Sequence, residues 1–275
     1  MNQEVFLSHE GKSLKKVVVC SPKEEYFVVV DRKAHNITEL ADKDLAILQH
    51  THLVETMKDF GTDVLIINEL PDHPNSVFTQ DTSVASPEGY IKLRMGIKTR
   101  EDEESWMSDF LDSKDVPCVG IIEKPATVEG GDVILAGNIA FVGISTRTNR
   151  EGAQQIGNLL NRQGFAIRTH KVPSPFLHIG GAMSVIDVDT VLSVERVFPD
   201  NFFQGFKVIS VPNDGFISGN VITLGNRELI VNMENKVAIA KLNQAGFTTH
   251  KVDLSEFTKG TGGPSCLIMP LVRSI

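Results

Sequence analysis

Short apolar runs rich in valine, isoleucine and leucine recur along the chain, bounded by glycine, proline or acidic residues. Longer stretches between them carry apolar positions every three or four residues. The short runs predict strands at 16–20, 63–67, 83–86, 133–135, 139–142, 182–187, 190–193, 221–224, 228–231 and 266–270. The longer stretches predict helices at 40–60, 101–111, 150–163 and 236–244, each ending near a glycine or a strand. In the first of these, Leu40, Leu45, Leu48 and Leu53 are the apolar positions between charged residues. Alternation of the two patterns predicts α/β packing.

A repeated unit lies inside that alternation. Gly130-Gly131-Asp132-Val133-Ile134-Leu135 is echoed by Gly180-Gly181-Ala182-Met183-Ser184-Val185, by Ser218-Gly219-Asn220-Val221-Ile222-Thr223 and by Gly262-Gly263-Pro264-Ser265-Cys266-Leu267. An earlier relative is Gln80-Asp81-Thr82-Ser83-Val84-Ala85. The five echoes stand about 40 to 50 residues apart. Three of them lead into hairpins that turn at 136–138, 187–189 and 224–226. Five units of this size, each with a hairpin and a helix, use nearly all 275 residues, so a propeller-like ring in a single domain spanning 1–275 is expected.

Composition narrows what such a ring does. The formal charge of −8 disfavours nucleic acid or an anionic membrane as partner, because both reward a basic face. Three cysteines, at 20, 118 and 266, form neither a disulfide framework nor a zinc pattern, so no metal is expected and a reducing, cytoplasmic setting is. The start, Met1-Asn2-Gln3-Glu4-Val5, is too polar and acidic for a signal peptide, and no apolar run approaches spanning length.

A ring brings one equivalent point of each unit to its axis. The candidates there are Asp81, Glu129 with Asp132, His178 and Cys266, a set in which a thiol attacks, an imidazole moves protons and carboxylates hold a cation. Each has a plainer alternative. Cys266 is either a nucleophile or a small buried hydrophobe at the start of a strand, and His178, in an apolar setting, is either a proton carrier or a core residue. Asp81, Glu129 and Asp132 also suit turns and caps, the role that fits Asp132 better. Arg94 and Arg147 are exposed charges by default, but an arginine also offers a forked partner for a substrate carboxylate. Cys20 and Cys118 have no comparable surroundings and read as structural.

Phe78-Thr79-Gln80-Asp81, Val128-Glu129-Gly130-Gly131-Asp132, the stretch Phe141-Val142-Gly143-Ile144-Ser145-Thr146-Arg147-Thr148-Asn149, Leu177-His178 and Gly262-Gly263-Pro264-Ser265-Cys266 together resemble the guanidine-modifying enzymes. Within that superfamily the chain is most similar to the dimethylarginine dimethylaminohydrolases. The resemblance implies the pentein fold, a five-fold pseudo-symmetric α/β propeller of ββαβ-type repeats, and cofactor-free cysteine catalysis on a small guanidine. By matching position, Cys266 would attack the guanidinium carbon, and His178 would protonate the leaving amine and then activate water. Glu129 and Asp81 would hold the guanidinium, while Arg94 and Arg147 would bind the substrate carboxylate.

Two features depart from that pattern. Where those hydrolases tend to read Pro-Asp-x-Val-Phe and then Glu-Asp, this chain has Pro74-Asn75-Ser76-Val77-Phe78 and then Gln80-Asp81, so two carboxylates are amides and the grip on a substrate cation is weaker. Asn75 is instead similar to the Pro-Asn of arginine deiminases and dihydrolases. His178-Ile179-Gly180 points the other way, lacking the second acid of the deiminase His-x-Asp. Hydrolysis of an Nω-methylated arginine to citrulline and alkylamine is therefore expected, with deimination, double hydrolysis to ornithine and amidino transfer as alternatives. A ribosome-binding, non-catalytic pentein is a distant one, because the complete Cys/His/acid set is present. The lid residues are not fixed by the sequence, 23–27 being one candidate segment, and monomer and homodimer both remain open.

Overall fold

The computed structural model describes residues 6–274; the polar run at 1–5 lies outside the described residues. Fifteen strands form five three-stranded sheets. The first joins β1 (Ser13–Cys20), β2 (Asp63–Ile67) and β15 (Met269–Ser274), with β1 in the middle. The others run consecutively: β3 (Ser83–Ser86), β4 (Gly89–Lys92) and β5 (Cys118–Ile121); β6 (Val133–Ala136), β7 (Ile139–Ile144) and β8 (Ala166–Lys171); β9 (Met183–Asp187), β10 (Thr190–Val194) and β11 (Lys207–Val211); β12 (Val221–Gly225), β13 (Glu228–Asn232) and β14 (Thr248–Val252). Every sheet pairs its central strand antiparallel on one side and parallel on the other. The result is a five-fold pseudo-symmetric α/β propeller.

The antiparallel partners β3, β6, β9, β12 and β15 lie innermost, with β9 packed beside β6 and β12, and β3 beside β15. Covered on both faces, they are buried almost throughout and carry mainly small and apolar residues. The parallel strands are outermost and alternate exposed with half-buried positions. Four of these five outer strands have no counterpart among the predicted strands: Arg168, His170, Lys207 and Lys251 dilute the apolar signal in β8, β11 and β14, and β5 is only four residues long and holds Gly120. Only β2, with its Val-Leu-Ile-Ile, announces itself. The short β4 was also not anticipated.

Parallel pairing needs a crossover, and a helix supplies it in four units: α1 (Lys43–Asp59), α2 (Glu103–Asp112), α3 (Arg150–Arg162) and α5 (Lys236–Gln244). Between β10 and β11 the expected helix is replaced by turns at 195–206. Pro199 and Gly205 interrupt that stretch, and Phe202, Phe203 and Phe206 pack on Phe141 with centroids 5.2 to 5.7 Å away. In α1 the buried face is Ala46, Gln49, His50, Leu53, Val54 and Met57. Leu40, Leu45 and Leu48 are exposed, contrary to the apolar stripe expected there. The polar Gln49 faces inward because Ser255 and Glu256, at the start of α6 (Ser255–Thr258), bond its side chain.

The final predicted strand begins later than expected. Residues 265–267 form a 3₁₀ turn, and pairing starts at Met269. This turn matches those at Thr79–Thr82 and Gly130–Asp132, and the four-residue α4 (Ile179–Ala182). Each echo is thus a tight turn feeding an inner strand at the same end of the ring, and that end holds the candidate chemistry.

Candidate active site

Four of those turns deliver Asp81, Glu129, His178 and Cys266, and the remaining unit contributes Asn220. His178 Nε2 donates to Glu129 Oε2 at 2.8 Å, and His178 Nδ1 lies 3.8 Å from Asp81 Oδ1. The second oxygen of Asp81 accepts a 2.6 Å bond from Arg100 Nη1, and Gly131 N–H supports the first at 3.2 Å. Glu129, fully buried behind His178, accepts from Arg147 Nη1 with both oxygens at 3.1 Å and from Gly96 N–H at 3.0 Å. Cys266 Sγ accepts from Gly263 N–H at 3.3 Å. Asn220 clasps Ser265, the neighbour of Cys266, accepting from Ser265 N–H at 3.0 Å and donating to Ser265 Oγ at 2.7 Å; that hydroxyl in turn donates to Gln80 Oε1 at 3.3 Å.

The stretch from Phe141 to Asn149 is the scaffold behind the imidazole. Ser145 Oγ donates to Asp132 Oδ2 at 2.6 Å, and Asp132 Oδ1 accepts from Ile179 N–H at 2.9 Å, which fixes the backbone next to His178. Thr148 Oγ1 accepts from Glu129 N–H, and Asn149 caps α3 through Gly152 N–H at 2.7 Å. Asp132 therefore has the turn-holding role expected of it. Glycine at 131 is required sterically: a Cβ there would lie 2.8 Å from two His178 ring atoms.

Burial by itself would push His178 down, but the Asp81, Glu129 and Asp132 carboxylates outweigh it and lift the imidazole to about 9. Glu129 is held well below the usual carboxylate range, because the His178 bond and the Arg147 charge overcome its burial. Burial, reinforced by the Asp81 charge, pushes the Cys266 thiol up to about 12. In this arrangement the site holds an imidazolium beside a protonated thiol. Arg100 is held above its ordinary value by Glu103, Asp81 and Glu129 despite its burial, and burial raises Glu103 to about 7.

His35, Asn36, Asn75, Phe78, Asp81, Arg100, Arg147, Leu177, His178, Thr261 and Cys266 line a chamber of about 30 Å³, roughly the space of one water. A second space of about 20 Å³ touches the same Cys266 and His178 and is walled by Gly131, Gly180, Gly181, Gln80, Phe216 and Ile217. Outside lies a cavity of about 590 Å³, which shares Asn36, Leu177 and Thr261 with the chamber. The covering segment runs through 32–38, pinned by Thr38 N–H on Lys259 O and by Thr261 Oγ1 on Asn36 O. The segment at 23–27 is tied down by its N–H groups at Lys23, Glu24 and Glu25, which bind the Glu69 carboxylate.

Of the expected site residues, Asp81, Asn75, Gln80, Arg147, His178 and Cys266 line these spaces, and Glu129 stands one layer behind. Arg94 is not among the chamber's lining residues; its own backbone bridges to Val128, and its Nη1 donates to Ala126 O at 3.2 Å. Beside Arg147, the arginine that reaches the chamber is Arg100, whose Nε and Nη2 both bind Glu103 Oε2. The Arg-x-x-Glu spacing of 100 and 103 was the available sign of this buried pair. The oxygens of Asp81 and Glu129 and a His178 nitrogen lie within 4.8 Å of one another, a spacing that suits a metal ion. The guanidinium groups of Arg100 and Arg147 already neutralise those acids, a field that disfavours a dication.

A propeller with a thiol, an imidazole–carboxylate pair and a second carboxylate at its mouth is the architecture of a guanidine-modifying enzyme. The family profile described as "N,N dimethylarginine dimethylhydrolase, eukaryotic" matches residues 29–273, and the chain belongs to this family. It is 27% identical over 225 residues to the N(G),N(G)-dimethylarginine dimethylaminohydrolase of Pseudomonas aeruginosa, covering 81% of this chain and 87% of that one. It is 28% identical over 274 residues to the uncharacterized protein YkgA of Bacillus subtilis, covering 96% and 94%. A structure of the Pseudomonas aeruginosa enzyme superposes with a TM-score of 0.83 at 23% identity, covering 95% of this chain and all of that one. The protein is accordingly a guanidine-modifying hydrolase acting on C–N bonds of amidines. Among the described residues no helix is long and apolar enough to cross a membrane.

Proposed function

We propose that this protein hydrolyses an Nω-methylated arginine to citrulline and an alkylamine, with Cys266 as nucleophile and one catalytic domain spanning 1–275. The observation that carries this reading is the meeting of Cys266, His178 and Asp81 in one chamber, with Glu129 2.8 Å behind the imidazole. The guanidinium binds Asp81, and its positive charge beside the sulfur lowers the thiol so that its proton passes to solvent as substrate arrives. Sulfur forms a bond to the guanidinium carbon, giving a tetrahedral adduct. His178, charged through Asp81 and Glu129, donates its proton to the substituted nitrogen, the C–N bond breaks and the amine departs, leaving a thiouronium on Cys266. Neutral His178 then takes a proton from water as the oxygen attacks the same carbon, and the C–S bond breaks to release the ureido product. The glycine-walled space beside His178, with Phe216 and Ile217 at its edge, suits the alkyl groups of the leaving amine. The Pseudomonas aeruginosa structure, a cysteine-to-serine variant complexed with citrulline, supports the same product class. A reducing compartment such as the cytoplasm suits the free thiol.

The test is a panel of arginine, monomethylarginine, dimethylarginine and agmatine, with products identified by mass. Citrulline with dimethylamine is the expected outcome, and Cys266→Ser is expected to lower kcat/KM by about 10³-fold or more with its thermal unfolding unchanged. Ornithine with ammonia from arginine would establish a dihydrolase instead, the reading that Asn75 favours.

A further inference from the structure

The chamber is lined by one carboxylate and two guanidinium groups. Asp81 is the only carboxylate among its lining residues, and the hydrolase reading assigns it to the substrate guanidinium. The acids that balance Arg100 and Arg147, Glu103 and Glu129, are 0% exposed and stand behind them, out of reach of a ligand. Asn75, where a second acid would meet a second cation, is neutral, and both ends of its amide are tied to His35: its Oδ1 accepts from His35 Nδ1 at 2.9 Å and its Nδ2 donates to His35 O at 3.1 Å. The amide therefore fastens the covering segment instead of receiving an ammonium group. Arg147, by contrast, lines the chamber and uses Nη1 on Glu129, and no protein partner is seen for its other guanidinium nitrogens among the described residues. The outer cavity continues the same bias, with Arg32 and Lys33 in its wall and no carboxylate.

We infer that the α-ammonium group of an amino-acid substrate is not recognised here, so that the site takes ω-guanidino carboxylates as a class. This rests on the hydrolase reading above. A desolvated ammonium without a carboxylate gains little from the site, whereas a carboxylate on Arg147 gains a charge-assisted bond. Asn75 and His35 are then specificity-determining through the closed segment.

The experiment compares Nω,Nω-dimethylarginine with two analogues, one lacking only the α-amino group and one lacking only the α-carboxylate. Expected is a kcat/KM for the des-amino compound within about tenfold of the parent, and a fall of about 100-fold for the decarboxylated one, the scale set by losing one partner of a buried charge pair. Asn75→Asp, which supplies the missing acid, is expected to raise the preference for the amino acid over its des-amino analogue about tenfold or more. A loss of 100-fold or more on removing the amino group, with the parent still turned over, would overturn this inference and leave the hydrolase intact. So would an unchanged preference in Asn75→Asp. No turnover of all three by folded protein would overturn the hydrolase reading and this one together.

Discussion

Cys266 shows how much of its chemistry a residue takes from its neighbours. Its thiol sits in a tight turn, capped by one N–H and facing a carboxylate, so burial and the Asp81 charge both oppose ionisation in the free protein. Alkylation of the Cys266 peptide by iodoacetamide, followed by mass spectrometry, should therefore accelerate roughly tenfold per pH unit past pH 9 instead of levelling near the ordinary thiol value of about 8.5. A plateau near 8.5 would mean that the thiol ionises as an ordinary one and that burial does not oppose it. Arg147 makes the same point from the other side. Read from the sequence it is a surface charge or a carboxylate ligand; in place it also holds Glu129 ionised behind His178.

At the scale of elements, α1 separates pattern from packing. Its leucines at 45 and 48 face solvent, while Leu53 and Met57 are completely buried against the first sheet and Phe257 lies across from His50. Leu53→Ala should destabilise by about 3 kcal/mol, whereas Leu48→Lys should change stability by less than about 0.5 kcal/mol. Urea unfolding of the two variants checks the assignment, and equal losses would place Leu48 in the core. The turns before the inner strands follow a different logic. They were legible as echoes, most of them glycine-bounded, because each must tighten before a buried strand. The outer strands were not, since half of each faces water and its residues are chosen for that.

Across the whole molecule, buried titratable groups set how stability varies with pH. His50 is completely enclosed and burial lowers it to about 4, so the unfolded chain binds a proton more readily than the native state below pH 6.5. Stability should fall as pH drops from 6.5 to 4, by roughly 3 kcal/mol from this residue, and His50→Leu should flatten that slope in denaturant titrations. His178 has the opposite sign: raised to about 9, its contribution is complete below 6.5 and is lost as pH climbs through 9. The basic limb of activity should fall in the same range, because the leaving amine needs that proton. A stability curve flat from pH 4 to 9.5 would contradict both assignments.

The sequence by itself determined the five repeats, the inner strands and the thiol, imidazole and acids at their starts. These follow from local rules: short buried strands must be apolar, and tight turns need glycine. It did not determine which arginine enters the chamber, that Glu129 stands behind His178, or that Asn75 fastens the covering segment. Arg94 and Arg100 are six residues apart, and only the bridge at Arg94 and the acids around Arg100 separate their fates. Those choices depend on which side chains from distant units meet around the axis, and closure of the ring alone brings them within reach.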